Sequence, residues 1–166
     1  MLRQIRLALL LALALPALVM PALAAAGPIE PREGWVVTAS EKPYADLLTD
    51  LKAAIKAEKM IKVTEAGPTG AAKSRGITIP GNRVLGVFRN DFAVRILRLS
   101  TPAMIEAPIR FYVTEAPDGR GWLSYRTPSA VFAPYAEDGG AALAEASAEL
   151  DTIFAAIAAR ALGAGG

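Results

Sequence analysis

The stretch Ile109-Arg110-Phe111-Tyr112-Val113-Thr114-Glu115-Ala116-Pro117-Asp118-Gly119-Arg120-Gly121-Trp122-Leu123-Ser124-Tyr125-Arg126 decides the fold. Ile109–Thr114 and Trp122–Tyr125 are rich in aromatic and β-branched residues and read as strands. Ala116-Pro117-Asp118-Gly119 between them is a turn sequence, so the two strands pair antiparallel. Side chains alternate along a strand. Ile109, Phe111 and Val113 therefore point one way, and Arg110, Tyr112 and Thr114 the other. Leu123 and Tyr125 share one face of the next strand; Trp122, Ser124 and Arg126 share the opposite one. If helices cover Phe111, Val113 and Leu123, the open face carries Arg110, Tyr112, Trp122 and Arg126.

Upstream, Trp35-Val36-Val37-Thr38 reads as a first strand. Ser40 is a candidate N-cap for a helix whose apolar positions are Tyr44, Leu47, Leu48, Leu51 and Ile55. That helix ends near Lys59, and Ile61–Thr64 follows as a second strand. Thr69–Arg75 allows a short helix closed by Gly76. Arg83–Phe88 is the third strand. Asn90 or Asp91 would cap a short apolar helix over Phe92–Leu99, stopped by Pro102. Downstream, Thr127–Tyr135 reads as irregular. Gly139 and Gly140 precede a long Ala-rich helix with the stripe Leu143, Leu150, Ile153, Phe154, Ile157 and Ala161, and Gly163 lies past its end. The order predicts an α+β domain over residues 34–163: an antiparallel sheet of about five strands with helices packed on one face.

The 166 residues suit one domain behind a leader. Arg3 and Arg6, the apolar run from Leu7, and Ala22-Leu23-Ala24 have the form of a secretory signal over 1–24, cleaved after Ala24. Pro16, Pro21 and the Ala-x-Ala site argue against an uncleaved anchor. The Gly- and Pro-containing residues 25–33 read as a flexible arm. The expected location is periplasmic or secreted, with no membrane attachment after cleavage. Removing Arg3 and Arg6 leaves 16 cations against 16 acids, which argues against a nucleic-acid partner. The sequence contains no Cys and no His, which excludes thiol chemistry, disulfides, zinc fingers and a His general base. No catalytic residue, metal or cofactor is assigned.

Aromatics mixed with Arg are what contact surfaces use. The open face is thus a solvated face, a homodimer or partner surface, or a small-ligand surface. The segment 125–135 adds polar residues on a path stiffened by Pro128 and Pro134, with Ser129 a site member or a cap. Glu106 is the carboxylate placed to meet an Arg of this region. Asp91 belongs to a basic patch with Arg89, Arg95 and Arg98, and stands four residues before Arg95 as its ion-pair partner. Candidate binding residues are therefore Asp91, Glu106, Arg110, Tyr112, Trp122, Tyr125, Arg126 and Ser129.

The strings Arg83–Arg95, Ile105–Glu115 and Leu123–Tyr135 closely resemble exported bacterial members of the domain-of-unknown-function family 302. The resemblance runs from Trp35 to about Leu162. It implies a β-α-β-β-β-β-α core of the TATA-binding-protein-like kind, here with short helices inserted. It carries no assigned activity. Other members often have His after the second strand, where this chain has Glu65-Ala66-Gly67. The reading preferred is a non-enzymatic periplasmic binding or accessory module holding a small ligand or a protein partner. The alternatives are a homodimeric structural module, and a hydrolase or isomerase using carboxylate and Tyr chemistry at Glu106.

Overall fold

The computed structural model describes residues 29–163; the expected signal over 1–24 and the start of the expected arm lie outside them. Five strands form one sheet: β1 (Trp35–Pro43), β2 (Ile61–Ala66), β3 (Asn82–Phe88), β4 (Ile109–Glu115) and β5 (Arg120–Arg126). Their order across the sheet is β1-β5-β4-β3-β2, and every neighbouring pair is antiparallel. The first two strands are therefore the two edges. The helix between them, α1 (Tyr44–Ala57), crosses the sheet and buries Leu47, Leu51, Ala54 and Ile55. A short helix, α2 (Thr69–Ser74), follows β2, and helices α3 (Asn90–Leu99) and α5 (Ala136–Leu162) join α1 on the same face.

The covered face follows the alternation of the two central strands. Phe111, Val113, Leu123 and Tyr125 are buried against Leu150, Phe154 and Ile157 of α5. Phe111 stacks on Phe154 with centroids 4.6 Å apart, and Tyr125 tilts against both at 5.1 and 5.7 Å. Such packing adds roughly 0.5–1.5 kcal/mol per pair to plain burial.

Several local expectations are corrected. Ser40 is not a helix cap: β1 runs on to Pro43, and the Ser40 hydroxyl accepts from the Lys42 N–H at 3.0 Å. Neither Asn90 nor Asp91 caps α3, which starts after extended Arg89 with no side-chain cap. The segment after β5 is ordered, with α4 (Pro128–Phe132) and a 3₁₀ turn (Ala133–Tyr135). Its cap is Thr127, whose side chain accepts from Ala130 N–H, rather than Ser129. The last helix begins at Ala136, ahead of both glycines, and breaks at Gly140, where φ is +58°.

The β2 edge is all exposed, carries Lys62 and Glu65, and shifts register between Lys62 and Thr64; charge and irregularity discourage pairing with another edge. Glu65 ties this edge to the helix layer. It accepts from Lys62 and Lys52, and Arg83 lies 3.7 Å away. The hydrogen bonds from Lys62 and Lys52 hold its carboxyl down from 4.5 to about 2. A folded-state value below the unfolded one stabilises above the unfolded value, and that stability is lost as acid protonates the folded group.

Two outcomes are expected. Phe154→Ala should cost about 3–5 kcal/mol in denaturant unfolding, because it empties the centre of the aromatic cluster. Glu65→Gln should cost about 0.5–1 kcal/mol at neutral pH. The loss of wild-type stability between pH 4.5 and about 2 should be shallower in that variant, as read by acid titration of unfolding.

Candidate functional site

The face away from the helices carries rows set by register. Trp35 stands opposite Arg126, and Gly86 opposite Arg110. One rung beyond Phe111↔Tyr125, Arg110 and Arg126 are themselves opposite each other. The next row holds Val37, Ser124, Tyr112 and Val84. The third holds Ala39, Trp122, Thr114 and Asn82. Ser124 and Thr114 are only 3 % and 5 % exposed although no helix covers them. Each is paired with a large aromatic, Tyr112 or Trp122, which shields the smaller residue.

A cleft of about 360 Å³ opens at the end of this face where β4 begins and β5 ends. Trp35, Val84, Glu106, Arg110, Tyr112 and Arg126 line it, with Ser124 between them and Val131 of α4 at its end. Each wall has a local cause. The chain enters β1 through Gly34, whose φ of +71° suits glycine. The Gly34 carbonyl accepts from the Thr127 N–H at 2.9 Å, which ties the start of β1 to the exit of β5. A Cβ on Gly34 would lie 2.5 Å from that of Ala130. This close approach sets Trp35 beside Arg126. Arg126 donates through Nη2 to the Ala130 carbonyl at 2.9 Å, which holds the guanidinium at the rim. Tyr112 has its hydroxyl bound by the Asn82 amide, so the phenol is anchored along the sheet. Gly86 leaves room beside Arg110 that the Pro108 ring occupies.

Glu106 ends a 3₁₀ turn (Pro102–Glu106) and enters the cleft from the helix side. Its partner is not an Arg, as expected from sequence, but the Tyr135 hydroxyl, which donates to Oε1 at 2.9 Å. That hydrogen bond, ahead of burial and charge, pushes the Tyr135 phenol up.

The structure thus gathers Glu106, Arg110, Tyr112 and Arg126 around one cleft. Tyr125 also borders it, but its ring turns into the helix-covered core, as its parity in β5 dictates. The remaining candidates lie elsewhere. Trp122 is on the same face two rows away. Ser129 is on α4, its N–H bound to Asp151 at 2.9 Å. Asp91 sits outside the cleft and pairs with Arg89 at 2.8 Å; Arg95 takes Glu149 and Glu145 instead. An i, i+4 spacing permitted the Asp91–Arg95 pair, but α5 brings two acids within reach of Arg95. Trp35 and Val84 were missed as site residues. The Trp at the head of the first strand was the available signal, but nothing local said that this strand would pair with β5.

Among the described residues no group of acids is arranged to hold a metal ion, and no helix is long and apolar enough to cross a membrane. The architecture defines an α+β domain with one helix-covered sheet face and a cleft at one end of the other. The family model for the domain of unknown function DUF302 matches residues 35–157, and the chain belongs to that family. An uncharacterized conserved DUF302 protein from Bacillus stearothermophilus has a crystal structure that aligns at TM-score 0.68 and 16 % identity, over 78 % of this chain and 99 % of its own. At that identity the likeness is one of fold. Among curated proteins, none matches this chain.

Gly34→Ala should cost about 1–3 kcal/mol, since alanine meets both an unfavourable φ and the Ala130 side chain. In a Trp122→Phe background, the same change should shift Trp35 fluorescence emission, as the wall it forms moves.

Proposed function

We propose that this protein is an exported, non-enzymatic binding module that holds a small ligand in the cleft bounded by Trp35, Arg110, Tyr112 and Arg126. The observation that carries this reading is the cleft itself. It combines an apolar floor with a few convergent charged groups, the usual make-up of a small-molecule site. Its volume of about 360 Å³ is at the small end for such sites. Trp35, Arg126, Arg110 and Tyr112 come from three adjacent strands, β1, β5 and β4, a rigid platform rather than a loop. The Leu/Ala-rich leader with Ala22-Leu23-Ala24 supports delivery out of the cytoplasm.

Binding is favoured over acid–base chemistry at Glu106. The Tyr135 O–H is directed at that carboxylate, and its raised pKa makes it a weaker proton donor. The pair fixes the 3₁₀ turn against the segment after α4.

The test is a fragment screen by amide NMR on the mature chain, with neutral, anionic and cationic members. Hits should perturb Val84, Tyr112 and Ser124 and disappear in Val84→Trp, which fills the cleft from a half-buried position without touching the core. Hits that avoid these amides, or that survive unchanged in Val84→Trp, would overturn the reading.

A further inference from the structure

We infer that the ligand of this cleft is a small organic monocarboxylate with a flat apolar body, its carboxylate seated between Arg110 and Arg126. The inference rests on the binding reading above and names the chemistry of its ligand.

Like charges directly opposite each other on neighbouring strands are destabilising. Extended one rung past Phe111↔Tyr125, the β4–β5 register nevertheless brings Arg110 across from Arg126. Five of the ten arginines among the described residues, Arg83, Arg89, Arg95, Arg120 and Arg160, have a carboxylate within 4.0 Å; Arg32, Arg75 and Arg98 have none and lie outside the cleft lining. Arg110 and Arg126 have none among the described residues. The carboxylate nearest in the cleft lining, Glu106, takes its hydrogen bond from Tyr135 instead. Arg126 spends one N–H on the Ala130 carbonyl and keeps other donors free. The Arg32 guanidinium lies 5.4 Å from the Trp35 ring centroid but is not part of the lining. A carboxylate between two guanidinium groups satisfies donors that this face leaves open, and does so with charge-assisted hydrogen bonds.

The rest of the ligand follows from the other walls. Val84 and the rings of Trp35 and Tyr112 offer apolar area. The Tyr112 hydroxyl is already engaged by Asn82, so that residue presents a ring rather than a free polar group. The single charge follows from Glu106. Against Arg110 and Arg126 it leaves the lining with an excess of one positive charge, and it repels a second carboxylate.

The test compares phenylacetate, its neutral analogue phenylacetamide, and the dianion phenylmalonate, by NMR titration of the mature chain at the Val84, Tyr112 and Ser124 amides. Phenylacetate should bind at least about tenfold more tightly than phenylacetamide, the scale of a charge-assisted pair. Phenylmalonate should bind no more tightly than phenylacetate. Arg110→Gln, at an exposed position, should remove the difference between acid and amide, and Arg110→Lys should restore part of it. Equal binding of acid and amide in the wild type would overturn the anion assignment and leave the cleft a neutral-ligand site. So would neutral or cationic fragments that occupy the cleft while phenylacetate does not. Absence of every fragment from the cleft would defeat both this inference and the binding reading.

Discussion

The Phe111 ring lies on the Phe154 ring with 4.6 Å between centroids, and this contact decides which face of the sheet the long helix covers. Phe111 is in β4, near the middle of the strand order, and Phe154 is in the third quarter of α5. With Tyr125 tilted against both, three rings from two strands and one helix share a single apolar volume. A slip of one residue in either strand would turn this cluster to solvent and carry Arg110, Tyr112 and Arg126 into the core. The burial of the aromatics and the exposure of the arginines are therefore one constraint seen from two sides.

That constraint explains why the cleft is made from sheet residues at all. The helix layer serves one face, so the other must remain stable with little cover. It does so by placing small hydroxyl residues, Ser124 and Thr114, beside the large aromatics Tyr112 and Trp122. At the end near Gly34 this cover gives way, and the strands present charged residues instead. The close approach of Gly34 to Ala130 brings α4 up as an end wall there. The cleft is the gap between a sheet that is covered from below and a short helix that reaches its rim.

Strand parity and the turn at Ala116–Gly119 made the central hairpin legible from sequence, and with it the open face carrying Arg110, Tyr112, Trp122 and Arg126. The one-sided helix layer followed from the stripe through Leu150, Phe154 and Ile157. What could not be read were contacts between elements distant in the chain. Trp35 joins the site only because β1 pairs with β5, and nothing near Trp35 encodes that choice. Asp91 and Arg95 were correctly spaced for an ion pair, yet each found a partner at other positions. Capping was misplaced for a local reason. Ser40 and Ser129 have the right chemistry for caps, but β1 continues past the first, and Thr127 fills the role ahead of the second. The paired glycines point to a helix starting after them, but nothing local signals that the helix already begins at Ala136 and breaks at Gly140.

The placement of β1 and β2 at opposite edges also governs the order in which the chain can assemble. The first two strands are synthesised early, separated only by α1, yet neither is a neighbour of the other. β2 finds its partner as soon as β3 follows it. β1 must wait for β5, because Trp35 pairs with Arg126 far along the chain. Closing so long a loop is entropically slow, so this edge belongs to the late, non-local part of folding. The wall of the cleft formed by Trp35 is thus among the last features completed. A chain interrupted before β5 emerges would have a helix layer begun and no site.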